Sequence, residues 1–151
     1  MTVFLTQVGY DNYKKEIADL AAKEPDYIRE VQRTAAMGDR SENAGYQNAK
    51  HILRKTQGRI RYLEKLLRNS KIIEHKKHDT VQIGSRVKIL NVSTKVEDDY
   101  TIVDANEANP LKGFISYKSP LGNSIMHKKI GEKTKIQVGP HVNEYTVVEI
   151  N

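Results

Sequence analysis

The stretch Ala49-Lys50-His51-Ile52-Leu53-Arg54-Lys55-Thr56-Gln57-Gly58-Arg59-Ile60-Arg61-Tyr62-Leu63-Glu64-Lys65-Leu66-Leu67 decides how the first half of the chain folds. Ala49, Leu53, Thr56, Ile60, Leu63 and Leu67 alternate by four and three with no slip, which is the a/d seam of a helix packed on one partner. Arg54, Lys55, Arg59, Arg61, Glu64 and Lys65 flank that seam on exposed positions. The pattern predicts a helix beginning around Ser41. Upstream, Tyr10, Tyr13, Ile17 and Leu20 mark one face of an earlier helix running to about Met37, and Tyr27, Ile28, Val31 and Ala35 resume its stripe. Pro25 interrupts the stripe and should kink the helix or restart it in a new first turn. Gly38 punctuates the chain between the two. Helices joined by so short a connection fold back antiparallel on each other. At about thirty residues each and 1.5 Å rise per residue, the arm would be roughly 45 Å long. No third or fourth helix of similar length completes a compact bundle, so a two-helix hairpin is expected.

After Glu74 the period changes. His75-Lys76-Lys77-His78-Asp79 is a polar, charged stretch and reads as a linker. Beyond it, Val81–Ile83, Arg86–Asn91, Tyr100–Val103, Phe114–Tyr117, Lys133–Val138 and Glu144–Ile150 are short segments rich in β-branched and aromatic residues. Gly84, Asn109-Pro110, Gly113 and Gly139-Pro140 separate them, the pattern of an antiparallel sheet. Ser119-Pro120 opens a short helix to about His127, with Ser as N-cap and Pro in the first turn. The expected class is α+β. A coiled-coil hairpin arm occupies residues 1–75, a linker 76–79, and a small α+β domain with an antiparallel sheet 80–151.

Composition agrees with this division. Of 151 residues, 38% are hydrophobic and 29% charged, with no Trp and two Phe, which is thin material for one large core. The net charge of +6 suits an acidic partner such as nucleic acid, an acidic protein surface or an anionic membrane, although many basic proteins have none. The absence of Cys excludes disulfides and thiolate metal sites and suits a reducing compartment. No basic n-region and no run of about twenty apolar residues is present. The chain is expected to be a soluble, cytoplasmic monomer without a membrane partner. The five His residues show no metal-ligand spacing. No Gly-rich phosphate loop and no Ser-His-Asp arrangement is recognisable, so an enzyme acting alone is disfavoured.

The chemically informative residues lie at the hairpin connection, Gly38-Asp39-Arg40-Ser41-Glu42-Asn43-Ala44. Asp39 and Glu42 stand three apart where one helix ends and the next begins, so their side chains can point the same way. One reading is purely local: Asp39 or Ser41 caps the second helix, and Glu42 in its first turn complements the helix dipole. Caps are far commoner than metal sites. The other reading is a partial site for a hard cation such as Mg²⁺, which takes oxygen ligands and keeps several waters. Two carboxylates leave such a site incomplete, and a partner would have to supply the remaining ligands.

The run Gly38–Ala44 followed by Tyr46-Gln47 resembles the tip signature of the GreA/GreB transcript-cleavage factors. Arg40-Ser41 between the acids is closer to GreB than to GreA, which usually has Leu-Lys there. Gly9-Tyr10, Lys15-Glu16, Pro25, Arg61-Tyr62-Leu63 and Lys71-Ile72-Ile73 also fall where a GreB-like chain has them. So do Tyr100-Thr101-Ile102-Val103, Ile115-Ser116 through Ser119-Pro120-Leu121, Lys129-Ile130-Gly131-Glu132 and Val147-Val148-Glu149-Ile150. The likeness covers essentially the whole chain in order. It departs at Gly45, a position usually acidic in the family, and around Val92–Asp98, which reads as a variable hairpin. A Gly within a helix also costs about 1 kcal/mol relative to Ala, which would favour fraying of the first turns.

The resemblance implies that the arm enters the secondary channel of bacterial RNA polymerase. Asp39 and Glu42 would then help bind a second Mg²⁺ at the polymerase's own catalytic centre, so that backtracked RNA is hydrolysed from its 3′ end. The metal would be shared with polymerase and absent from the free protein. Ser41 and Asn43 would orient the acids or the water. Lys50 and Arg54 on the second helix, with Arg29 and Arg33 on the first, would meet the phosphates of nascent RNA; a solvated coiled-coil face is the plainer reading of each. The second half would have the fold of FK506-binding proteins and dock on polymerase through Ser119, Pro120 and Leu121, without prolyl isomerisation. The alternative within the family is a regulator that occupies the channel without promoting cleavage.

Overall fold

The computed structural model describes residues 2–38, 43–74 and 77–151. The element order is β1 (Val3–Leu5), α1 (Gln7–Ala35), α2 (Ala44–Arg68), β2 (Ser70–Ile72), β3 (Arg86–Asn91), β4 (Glu97–Val103), β5 (Phe114–Ser116), α3 (Pro120–Ile125), β6 (Lys133–Val138) and β7 (His141–Ile150). Val8–Ser70 form one compact unit, and Thr2–Gln7 with Lys71–Asn151 form the other.

The first unit is the antiparallel hairpin. Cross-helix contacts run in opposite directions along the two chains: the Glu16 carboxylate takes both Nε (2.7 Å) and Nη2 (3.1 Å) of Arg59, the Gln57 amide donates to Glu24 at 3.4 Å, and Asn43 meets Thr34. The buried residues of α2 are Ala49, Thr56, Leu63 and Leu66, while Leu53, Ile60 and Leu67 are half-buried. The seam therefore follows the expected residues except in the last turn, where Leu66 takes the buried place expected of Leu67. Thr34 and Thr56 are buried, yet each hydroxyl donates to a carbonyl of its own helix, to Glu30 at 2.8 Å and to Ile52 at 2.9 Å. α1 runs unbroken through Pro25, so the expected restart does not occur. Ile28 is more exposed than its place in the expected stripe suggested.

The second unit contains a five-stranded sheet in the order β5-β4-β3-β7-β6. The β3–β4, β3–β7 and β6–β7 pairs are antiparallel, with a bulge at Lys88/Ile89. β5 pairs parallel to β4, because two 3₁₀ turns, Ala105–Glu107 and Pro110–Lys112, carry the chain back before it pairs. β4 and β7 begin earlier than their residue types suggested: register opposite β3 draws in Glu97, Asp98 and Asp99, and register opposite β6 draws in His141 and Val142. Val81–Ile83 is not a strand; Val81 is fully buried and held by loop hydrogen bonds with Lys128 and His127. The core gathers Val81, Val87, Ile89, Ile102, Ile115, Ile125, Val147 and Ile150, with Tyr100, Tyr117, Leu121, Met126 and Tyr145 packed around it.

Periodicity gave no sign of the small sheet in which β1 pairs with β2. The N-terminal segment is fixed further by Glu107, whose carboxylate accepts from the Thr6 backbone N–H at 2.9 Å and from its hydroxyl at 2.6 Å. Hydrogen bonds to a charged acceptor are the stronger kind, so Glu107→Ala is expected to lower the stability of this unit by about 2 kcal/mol in urea denaturation. Gly122 is required for a different reason. A Cβ at that position would lie 2.0 Å from the Ser116 carbonyl oxygen. Relief would need a backbone shift, and Gly122→Ala is expected to cost about 3 kcal/mol by the same measurement.

Candidate functional site

The connection between α1 and α2 is built from both helix ends. α1 ends by leaving carbonyls that no later turn of the helix can satisfy. The Thr34 carbonyl accepts from the Met37 N–H at 3.1 Å and from Asn43 Nδ2 at 2.7 Å. Gly38 then takes φ +119°, a region open to Gly and strained for other residues. On the far side, Asn43 is the N-cap of α2, with extended backbone (φ −86°, ψ 98°) and Oδ1 accepting from the Tyr46 N–H at 3.0 Å. The cap is thus Asn43, not the Asp39 or Ser41 considered from sequence. Asp39, Ser41 and Glu42 lie outside the described residues.

Gly45 sits in the first turn of α2 beside this cap. A Cβ there would come 3.3 Å from Asn43 Oδ1 and 3.7 Å from Thr34 Cγ2, so the missing side chain relieves crowding where the helices meet. Despite the propensity cost of Gly, α2 is formed from Ala44 onward.

The basic residues near the connection differ in their surroundings. Arg29 pairs with Asp26, and Arg33 with Glu30 through Nε at 2.9 Å. Hydrogen bonding from Arg33 holds the Glu30 carboxyl below its usual range. Either arginine would have to exchange an existing partner for a phosphate. Lys50 is half-buried with its ammonium 4.8 Å from the Tyr46 ring centre, and Arg54 is exposed one turn further on. Tyr46, Lys50 and Arg54 recur every four residues and share one face of α2.

Ser119, Pro120 and Leu121 belong to the other unit. Ser119 caps α3, its hydroxyl accepting from the Gly122 N–H at 3.1 Å and donating to the Ser116 carbonyl at 2.7 Å. Pro120 is exposed, and Leu121 is half-buried against the core. The helix start expected from sequence is therefore present. Nearby, a cleft of about 660 Å³ is lined by Phe4, Ile72, Ile83, Tyr117, Met126 and His127 among others.

Among the described residues, no group of three His, Asp or Glu comes together that could hold a metal. No helix among them is long and apolar enough to cross a membrane. Asp39 and Glu42 offer oxygen ligands of the kind Mg²⁺ takes, and by number they would leave its shell incomplete. The Thr34 carbonyl and the Glu107 carboxylate are contributions that sequence reading missed. A backbone acceptor leaves no mark on residue type, and Glu107 acts on a residue 101 positions away.

Comparison with known proteins agrees with this anatomy. A family model described as "Transcription elongation factor, N-terminal" matches residues 3–72, and one described as "Transcription elongation factor, GreA/GreB, C-term" matches residues 76–151. The chain is 34% identical to a protein named transcription elongation factor GreA from Nitratiruptor, over 97% of this chain and 91% of that one. It is 36% identical to a GreA of Clostridioides difficile, over 97% and 94% of the two chains. A solved structure of GreA factor homolog 1 from Thermus thermophilus aligns over 100% of this chain and 99% of that one, at 23% identity and a TM-score of 0.47. The family is shown by the two family models, which together span residues 3–72 and 76–151, and by the sequence relatives. The chain belongs to the GreA/GreB family of transcription elongation factors.

Proposed function

We propose that this protein stimulates cleavage of backtracked nascent RNA by bacterial RNA polymerase, with the hairpin arm entering the secondary channel connection-first. The observation that carries this reading is the pair Asp39 and Glu42, set between Gly38 and Asn43 at the connection of a long two-helix arm in a chain of this family. Repulsive carboxylates are an odd choice for an arm whose task is only to bind phosphates. They suit a task in which negative charge is needed at a partner's catalytic centre. A Mg²⁺ ion held there would supply a nucleophilic water near neutral pH and neutralise developing charge. Asp39 and Glu42 contribute oxygen ligands and hold the attacking water in orientation. The hydrolytic activity belongs to polymerase, and this protein is its accessory.

Lys50 and Arg54 provide a basic face behind the connection for the phosphates near the RNA 3′ end. At the start of α3, Pro120 is the exposed side chain of the Ser119-Pro120-Leu121 segment and so its contact point for polymerase; Ser119 and Leu121 are engaged in the cap and the core. Arg40-Ser41 supports a GreB-like tip, although the relatives compared above are named GreA.

The test is RNA cleavage in a halted, backtracked elongation complex with Mg²⁺. Asp39→Asn and Glu42→Gln are each expected to slow stimulated cleavage on the order of 100-fold while still binding polymerase. Wild-type binding without stimulated cleavage would overturn the proposal and leave a channel-occupying regulator. Lys50→Ala and Arg54→Ala are each expected to flatten the dependence of apparent affinity for that complex on salt, by roughly 0.7 in the log–log slope per lost phosphate contact.

A further inference from the structure

The cleft of the second unit takes no part in the cleavage function proposed above, yet its walls are firmly held. The Ile73 N–H donates to the Leu5 carbonyl at 2.8 Å, which joins Phe4 and Ile73 in one wall. Gly84 lets Ile73 sit close, since a Cβ there would lie 3.0 Å from Ile73 Cγ2. At the end of α3, the His127 N–H donates to the Val81 carbonyl and the Val81 N–H to the Lys128 carbonyl, both at 2.9 Å. That exchange ties Met126 and His127 to the segment bearing Ile83. It also holds His127 at φ +65°, a region seldom used by residues other than Gly. Such conformations persist where neighbours impose them, and they gather at ligand-binding positions.

The lining divides by exposure. Phe4, Ile73, Ile83, Tyr117 and Met126 are half-buried, whereas Lys71, His78, Asn123 and His127 are exposed. In contrast to Arg29 and Arg33, Lys71 forms no ion pair with any of the described residues. No lining residue is Asp or Glu, in a chain that has 19 of them, so nothing in the lining opposes a negative charge. We infer that the cleft binds a small amphipathic monoanion, with its apolar body among the half-buried side chains and a carboxylate at Lys71 and His127. The volume of about 660 Å³ suits a small molecule. One lysine matches the single charge of a carboxylate, whereas a phosphate monoester carries nearly two near neutral pH. The imidazoles and the Asn123 amide add hydrogen bonds without a further fixed charge.

The probe is octanoate, titrated into the full chain labelled with ¹³C at its methionine methyls. Met126 lines the cleft, and Met37 belongs to the other unit and serves as an internal control. The Met126 methyl is expected to shift and saturate at one equivalent, with Kd on the order of 0.1 mM, while Met37 stays unmoved. Hexanoate should bind roughly 10-fold more weakly through the loss of two methylenes, and 1-octanol at least as weakly through the loss of the charge. Lys71→Gln keeps most of the stem and removes the charge. His127→Gly removes the imidazole while accepting the positive φ, so the backbone is preserved. Each is expected to weaken octanoate roughly 10-fold with an unchanged circular dichroism spectrum. An unmoved Met126 would overturn the inference, as would shifts of both methyls that never saturate. So would 1-octanol binding as tightly as octanoate, or wild-type affinity in both variants. Should His127→Gly disturb the fold, Lys71→Gln decides.

Discussion

The arm depends on a single seam. A helix in a compact bundle can bury a wide apolar face against several neighbours, whereas each helix of this hairpin has one partner helix and a narrow stripe to offer it. The buried residues of α2 reduce to Ala49, Thr56, Leu63 and Leu66, and one of the four is a threonine. The polar members of the seam are tolerable because Thr34 and Thr56 satisfy their hydroxyls on carbonyls of their own helices. Contacts at the margin, such as the two-pronged Glu16–Arg59 pair, help to define which residues face each other. At that degree of exposure the pair contributes register more than stability.

A narrow seam makes the hairpin's end critical. Helix termini leave backbone donors and acceptors without partners, and a reversal joins two such termini. Asn43 meets both needs with one amide, and Gly38 supplies the backbone freedom at the turn. A similar economy recurs before α3. There the Ser119 hydroxyl accepts from Gly122 and donates to Ser116, and Gly122 leaves room for the Ser116 carbonyl. In both places a small polar residue ends one segment and begins the next, with a glycine beside it where a side chain would crowd the bond. One of these junctions precedes the helix bearing Lys50 and Arg54, and the other carries Pro120.

Much of the fold was legible from residue order. The four-three alternation from Ala49 to Leu67 announced α2, and the stripe from Tyr10 to Ala35 announced α1. Ser119-Pro120 marked the start of α3 through a cap and a first-turn proline, both local devices. Segments such as Arg86–Asn91 and Lys133–Val138 emerged with the bounds their residue types suggested. The candidate site was legible differently: the acids were conspicuous as a pair, but the group closing the connection was not. Asn43 could be named from its place in the motif, while its partner, a main-chain carbonyl at Thr34, has no side-chain signature.

The sequence by itself determined whatever repeats within a turn or two of chain: the two helical periods, the change to β-rich segments after Glu74, the cap of α3, and the presence of two carboxylates at the hairpin connection. Tertiary structure decided what depends on partners distant in sequence. It paired the three-residue strands β1 and β2, turned β5 parallel to β4, extended β4 through three acids opposite β3, and set Glu107 on Thr6. Strands that short carry too few residues to show a period, and ladder hydrogen bonds are made by backbone groups that every residue type except proline shares in full. Register and long-range pairing are therefore settled only when the whole unit buries its core.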